Sequence, residues 1–352
     1  MKITDVKAIY PKFSQIPRGP WQSHFWQIVV RVEADTGAVG LGYGGGGDPG
    51  CQVVNQHLRE LLIGRTIDSA DDIRETWDVL YRQSLPYGRK GLAVMALSGV
   101  DLALWDLLGK ARGVPVYELL GGLKKPRVRA YASGNEMERY VDMGYTANKF
   151  QPGRGGSDED VAKTVEAARR SRQTFGDDAL IMTDCYMSWD AEATLRMAEA
   201  LAEFELYWFE DVLTPDLIDE QATLRPRIKP INLAGGEHEF TRFGFAAAAK
   251  ARALDIWQPD LTWSGGITEG LRILELAKGH GVSVVPHRGG EIWGLNFIAA
   301  TDCDDLAETH PERWIPPKDE LWLDEPKTVD GHLTPPPPDR PGFGVRLNEA
   351  ML

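Results

Sequence analysis

Between residues 184 and 287, short apolar runs of β-forming residues recur at a nearly constant interval, each ending in an acid or a histidine. They end at Asp184 (in MTDCYMSWD), Glu210 (YWFED), Glu237 (LAGGEHEF), Asp260 (DIWQPD) and His287 (VVPHRGG), at intervals of 26, 27, 23 and 27 residues. One strand, one helix and two connections fill such an interval, and about 250 residues make eight of these units in a closed barrel. The spacing therefore predicts an α/β fold built on a TIM-type barrel.

Strand ends of a parallel barrel converge on one mouth, where such barrels carry their chemistry. Asp184, Glu210 and Glu237 would then face one volume from three adjacent strands. Alone they would repel each other and raise each other's pKa. A divalent cation removes that conflict, and an all-oxygen set calls for a hard ion, Mg²⁺ first and Mn²⁺ second. The plainer alternative, that each acid caps the following helix, suits a single strand-end acid better than three at barrel spacing.

The chain has 352 residues, enough for a barrel plus an added layer. Its formal net charge of −13 argues against nucleic acid or an anionic membrane as a partner, since both need a basic face. The start, MKITDVKAIY, carries no leader pattern, and no apolar run is expected to span a bilayer. Three cysteines, Cys51, Cys185 and Cys303, have no metal-type spacing and read as reduced cytoplasmic thiols.

Residues 2–10, 25–34 and 38–43 read as an antiparallel meander turned at Asp35–Gly37. Helical periodicity covers 53–63 and 70–82, and the stretch 92–112 is apolar on almost every face, which marks a buried helix. The loops 16–24, with Arg18, Trp21 and His24, and 44–51, GGGGDPGC, read as flexible specificity loops. No Lys-Ser or Lys-Thr follows the glycines, so a phosphate loop is unsupported. Barrel strands are expected at 128–133, 147–151, 179–185, 207–210, 232–237, 255–258, 282–286 and 306–309. The proline-rich tail cannot be a barrel helix and should run back along the small layer.

These phrases, with GVDLALWDLLGK, GVPVYELLGG, WSGG and PGFGV, resemble the enolase superfamily. Within its mandelate racemase/muconate lactonizing enzyme-like members, the resemblance is to acid-sugar dehydratases of the L-rhamnonate dehydratase type. It implies a modified TIM barrel, (β/α)7β, with an N-terminal α+β capping domain at 1–127, the barrel at 128–315, and a tail at 316–352 returning to the cap. Superfamily sites pair a Lys or His base with one or two Mg²⁺ ions. Asp184, Glu210 and Glu237 are thus the expected metal ligands. His287 is the expected base, with Asp260 holding its tautomer as an aspartate can.

In superfamily racemases and lactonising enzymes the second strand carries Lys-x-Lys, a base for the opposite face. Here it reads Lys149-Phe150-Gln151. A single histidine can abstract the α-proton of a sugar acid and then protonate the departing β-hydroxyl on the same side, giving a 2-keto-3-deoxy acid. The expected activity is Mg²⁺-dependent dehydration of L-rhamnonate, L-lyxonate or L-mannonate by a homo-oligomer. Lys149 is expected to bind the substrate carboxylate or else to be a strand-end surface charge. The last-strand carboxylate is assigned to Glu308, with Asp305 as its neighbour-in-sequence alternative. His238 resembles a substrate-contacting histidine or caps a helix, and Arg288 binds further negative charge or faces a loop. The remaining histidines, His57, His280, His310 and His332, read as structural. An epimerase on the same scaffold, or a barrel that only binds metal and sugar acid, are the other readings.

Overall fold

The computed structural model describes residues 1–12, 26–311 and 321–352. Loop residues Arg18, Trp21 and His24, and the expected 315/316 boundary, lie outside the described residues.

Strands β1 (Ile3–Ile9), β2 (Ile28–Ala34) and β3 (Val39–Gly44) form an antiparallel sheet in that order. Val29, Val30 and Val32 in β2 supply the β-branched side chains that suit a pleated, buried surface. Helix α1 (Ala70–Ser84) starts at a capping box in which Ser69 and Asp72 satisfy each other's backbone N–H groups. Helix α2 (Leu92–Arg112) lies across the sheet. By length and composition α2 could cross a bilayer, contrary to the expectation for this sequence, but its most apolar stretch is 89% buried inside the protein. A helix apolar all round can be a core helix as well as a membrane span.

Alternate glycines bring β3 onto α2. A Cβ at Gly40 would lie 2.0 Å from the Ala103 carbonyl oxygen, and one at Gly42 would lie 2.0 Å from that of Gly99. Backbone therefore meets backbone. The expected flexible loop at 44–51 is also different: Gly44 ends β3, Gly47–Gln52 is helical, and the helical run continues to Leu62 through a π-wound stretch. Glycines there serve close packing, not mobility.

Eight parallel strands curl in barrel order: β4 (Val128–Ser133), β5 (Ala147–Phe150), β6 (Leu180–Asp184), β7 (Trp208–Glu210), β8 (Asn232–Gly235), β9 (Ile256–Trp257) and β10 (Ser283–Val284), with β11 (Ala307–Thr309) beside β4. Between β10 and β11 the described links include backbone hydrogen bonds from Asp304 N–H to the Val284 carbonyl, 3.0 Å, and from Gly290 N–H to the Glu308 carbonyl, 2.8 Å. Tyr131, Met182, Trp208, Ala234 and Val285 fill the barrel interior. Helices return between the strands, among them α3 (Asp158–Phe175), opened by a Ser157–Asp160 capping box, and α4 (Gly266–His280).

The start of α4 is docked onto α1 and α2. Trp77 Nε1 donates to the Gly265 carbonyl (2.7 Å), Ser98 Oγ accepts from Gly265 N–H (2.8 Å), and Asp101 Oδ2 accepts from Thr268 N–H (3.0 Å). A Cβ at Gly266 would strike Asp101 Oδ2 at 2.2 Å, so this contact needs the bare backbone. Near the end of the chain, Tyr117 donates to the Pro336 carbonyl, Phe343 N–H donates to Asp106, and β12 (Trp322–Leu323) pairs with β14 (Arg346–Leu347). Between them β13 (His332–Leu333) pairs antiparallel with β4.

Candidate active site at the barrel mouth

Three site strands end in left-handed turns. Tyr186 (φ 45°), Asp211 (φ 45°) and Arg288 (φ 51°) follow closely on Asp184, Glu210 and His287. Non-glycine residues enter this region at a cost of roughly 1–3 kcal/mol, and such positions cluster at functional sites. At the end of β8 the turn is made by Gly236 (φ 123°), where a Cβ would meet the Phe245 ring at 2.8 Å.

Asp184, Glu210 and Glu237 each bring one oxygen to a common volume, all three within 4.8 Å of one another. A hard cation such as Mg²⁺ takes oxygen ligands at about 2.0–2.1 Å, so the three oxygens would draw closer together to hold it. Every donor of the set is a carboxylate oxygen, which suits that ion and not a soft metal. Burial first, and then the facing acids, push the Glu210 carboxyl pKa up against the pull of Lys149. Burial also lifts Glu237, to about 7. Burial is the larger cause in both, and the neighbouring acids add to it.

Lys149 is buried, with 1% of its surface exposed, which removes the surface reading. Its ammonium lies 2.5 Å from Glu210, 2.7 Å from Glu308 and 3.4 Å from Asp184. Three donors thus face three carboxylates, and those acids hold Lys149 protonated despite its burial. Trp208 Nε1 (3.0 Å) and Gln258 Nε2 (2.7 Å) also donate to Glu210. Its orientation is therefore fixed from three sides.

His287 Nδ1 lies 2.9 Å from Asp260 Oδ2. Its Nε2 faces Glu237 Oε2 at 3.4 Å and Glu308 Oε2 at 3.8 Å. Burial disfavours the imidazolium, but Glu237, Asp260 and Glu308 outweigh it and raise the histidine to about 10. Asp260 is also buried, yet Arg288 and His287 hold its carboxyl well below the usual range. Glu308 faces the cluster and accepts the Arg288 N–H at 2.9 Å, whereas Asp305 sits against Arg129. Of the two last-strand carboxylates, Glu308 is the one beside Lys149 and His287.

Arg288 is turned towards Asp260 and Thr262. Its Nε donates to Asp260 Oδ2 at 2.9 Å, Nη2 bonds Thr262 Oγ1, and its guanidinium sits 5.0 Å from the Trp263 ring centroid. A buried cation takes the nearest carboxylate. His238 Nδ1 lies 3.2 Å from Asp211 Oδ2, and its ring neighbours Tyr186 and Trp263. His310, read as structural, stands with Nε2 3.6 Å from Glu308 Oε1. It follows the end of β11 by one residue, a signal the sequence contained. Gln27, Gln258, Thr262 and Trp263 were also missed, and no spacing pattern marks them.

The chain matches two family models: the mandelate racemase / muconate lactonizing enzyme N-terminal domain over residues 18–121, and the enolase C-terminal domain-like model over 132–351. An L-rhamnonate dehydratase of Saccharopolyspora erythraea is 40% identical, covering 97% of this chain and 88% of that protein. The crystal structure of rhamnonate dehydratase from Gibberella zeae complexed with Mg superposes with a TM-score of 0.89 at 32% identity, over 99% of this chain and 95% of that one. A 3,6-anhydro-D-galactonate cycloisomerase from Zobellia galactanivorans gives 0.86 at 26% identity, over 99% and 98%.

Proposed function

The chain belongs to the enolase superfamily, and we propose that it is a Mg²⁺-dependent hydro-lyase that dehydrates an aldonic acid, L-rhamnonate or a close stereochemical relative, to the 2-keto-3-deoxy acid. Mn²⁺ is the alternative ion. The observation that carries this reading is the buried His287–Asp260 pair beside a cluster of three carboxylates, with Gln151 where a second-face lysine would stand. The rhamnonate dehydratase relative supplies the substrate class.

Asp184, Glu210 and Glu237 would hold the ion. When bound, Mg²⁺ supplies Lewis-acid stabilisation of negative charge developing on the substrate carboxylate. Lys149 balances the buried charge of Glu210 and Glu308 and keeps those carboxylates in place. His287 Nε2 takes the α-proton, and the C2–H bonding pair becomes the C2–C3 double bond as the C3–O bond breaks. The imidazolium then delivers that proton to the departing hydroxyl, which leaves as water. The enol tautomerises to the keto acid. Asp260 accepts the Nδ1 hydrogen throughout and stabilises the positive ring.

The test is a screen of purified protein with Mg²⁺ against aldonic and aldaric acids, scoring 2-keto acid, with His287→Asn as control. Keto acid from one stereochemical group, lost in the variant, supports dehydration. Exchange of the α-proton in deuterated water without keto acid would favour epimerisation instead.

A further inference from the structure

Gln27 lies just before β2, in the antiparallel layer, and is 1% exposed. Its amide reaches across to the barrel. Trp263 Nε1 donates to Gln27 Oε1 at 2.6 Å, and Gln27 Nε2 donates to Thr262 Oγ1 at 3.0 Å. Thr262 in turn gives both its backbone N–H and its hydroxyl hydrogen to Asp260 Oδ1, each at 2.7 Å.

The direction of every bond in this chain is forced. An indole N–H only donates, so Trp263 must meet the amide oxygen and the amide nitrogen must face Thr262. Gln27 and Arg288 both donate to the threonine oxygen, which leaves its one hydrogen for Asp260. Asp260, a carboxylate, only accepts. His287 must therefore carry hydrogen on Nδ1, and Nε2 is the nitrogen left to exchange protons at the mouth. Packing reinforces the same path: Trp26 meets Trp263 edge-on at 6.2 Å, and Trp263 lies 5.7 Å from the His287 ring.

We propose that Gln27 is a positioning residue through which the antiparallel layer sets the orientation of Asp260 and the working nitrogen of His287. The inference rests on His287 being the base. Seating of the small layer on the barrel and readiness of that base are then one event.

Gln27→Glu tests it with little change of shape. A carboxylate still accepts from Trp263 but cannot donate to Thr262, so the threonine hydroxyl turns towards residue 27 and Asp260 loses a donor. The expected result is a kcat lowered about 10- to 100-fold with KM changed less than about threefold, at a near-wild-type melting temperature. Gln27→Leu should lower kcat at least as far, and Gln27→Asn should lower it less if the shorter amide still bridges.

A readout independent of substrate is the His287 Nδ1–H proton resonance in protein labelled with ¹⁵N-histidine, with His287→Asn for assignment. It should shift in Gln27→Glu and Gln27→Leu. If no acid is turned over by the wild type, the functional reading fails while this resonance still tests the link. An unmoved resonance in Gln27→Glu overturns the proposal whatever happens to the rate, and a lowered melting temperature with unchanged kcat assigns Gln27 a purely structural role and overturns it as well.

Discussion

His287 Nδ1 and Asp260 Oδ2 lie 2.9 Å apart at the ends of neighbouring strands, and the same carboxylate oxygen receives Arg288 Nε at 2.9 Å. One aspartate oxygen thus serves two donors. Replacing it by Asn keeps the shape but presents an amide that can favour the wrong histidine tautomer. Asp260→Asn should lower kcat by about 10²- to 10⁴-fold. His287→Asn should abolish keto acid formation, with Mg²⁺-dependent stabilisation retained in both. Steady-state kinetics and thermal melts check this together.

Binding of Mg²⁺ to the acid cluster should stabilise the fold by mass action, by about 2.7 kcal/mol when free ion is 100 times its Kd. A chelator should lower the melting temperature and abolish activity, and added Mg²⁺ should restore both. Glu237→Gln removes a proposed ligand whose charged form burial disfavours. Its melting temperature without metal should equal or exceed that of the wild type, while its response to Mg²⁺ is largely lost. Differential scanning calorimetry with and without the ion separates the two effects.

Lys149→Met leaves Glu210 and Glu308 buried without their cation. Breaking one side of a buried ion pair costs about 3–5 kcal/mol. Saturating Mg²⁺ should recover part of that loss, because the ion offsets the same negative charge. Denaturant unfolding in the presence and absence of Mg²⁺ measures the difference.

Burial raises Asp101, on α2 against the start of α4, to about 7. An acid whose pKa is higher in the folded state favours folding most when protonated. Its contribution is therefore full below the unfolded value near 3.8 and declines as pH rises towards 7. Asp101→Asn should flatten the fall in stability between pH 4 and 7 by an amount on the order of 1–4 kcal/mol. Chemical denaturation of both proteins at pH 4.5 and pH 8 provides the comparison.

Gly42→Ala places a methyl 2.0 Å from the Gly99 carbonyl oxygen and 2.6 Å from the Ala103 nitrogen. Neither backbone can yield without parting β3 from α2, so a loss of roughly 2–4 kcal/mol is expected. Gly37→Ala, in an open turn with nothing near its Cβ but φ at 81°, should cost less, about 1 kcal/mol. Urea unfolding midpoints rank the two.

The βα rhythm, the three cluster acids and the His287–Asp260 pair were legible in the sequence because each depends on position along a strand. Period-2 runs, helix-length intervals and the convergence of strand ends are local consequences of the chain. The Leu92–Arg112 helix was legible as buried for the same reason, though the same composition fits a membrane span and only its packing excludes that placement here. What Lys149, Arg288 and Gln27 contact depends on residues as far away as Glu308, Asp260 and Thr262. Their charges and donors could have faced substrate or solvent equally well as read from the sequence. Tertiary structure decided, because a buried donor must find an acceptor and the acceptors within reach are set by strands and loops far apart in the chain.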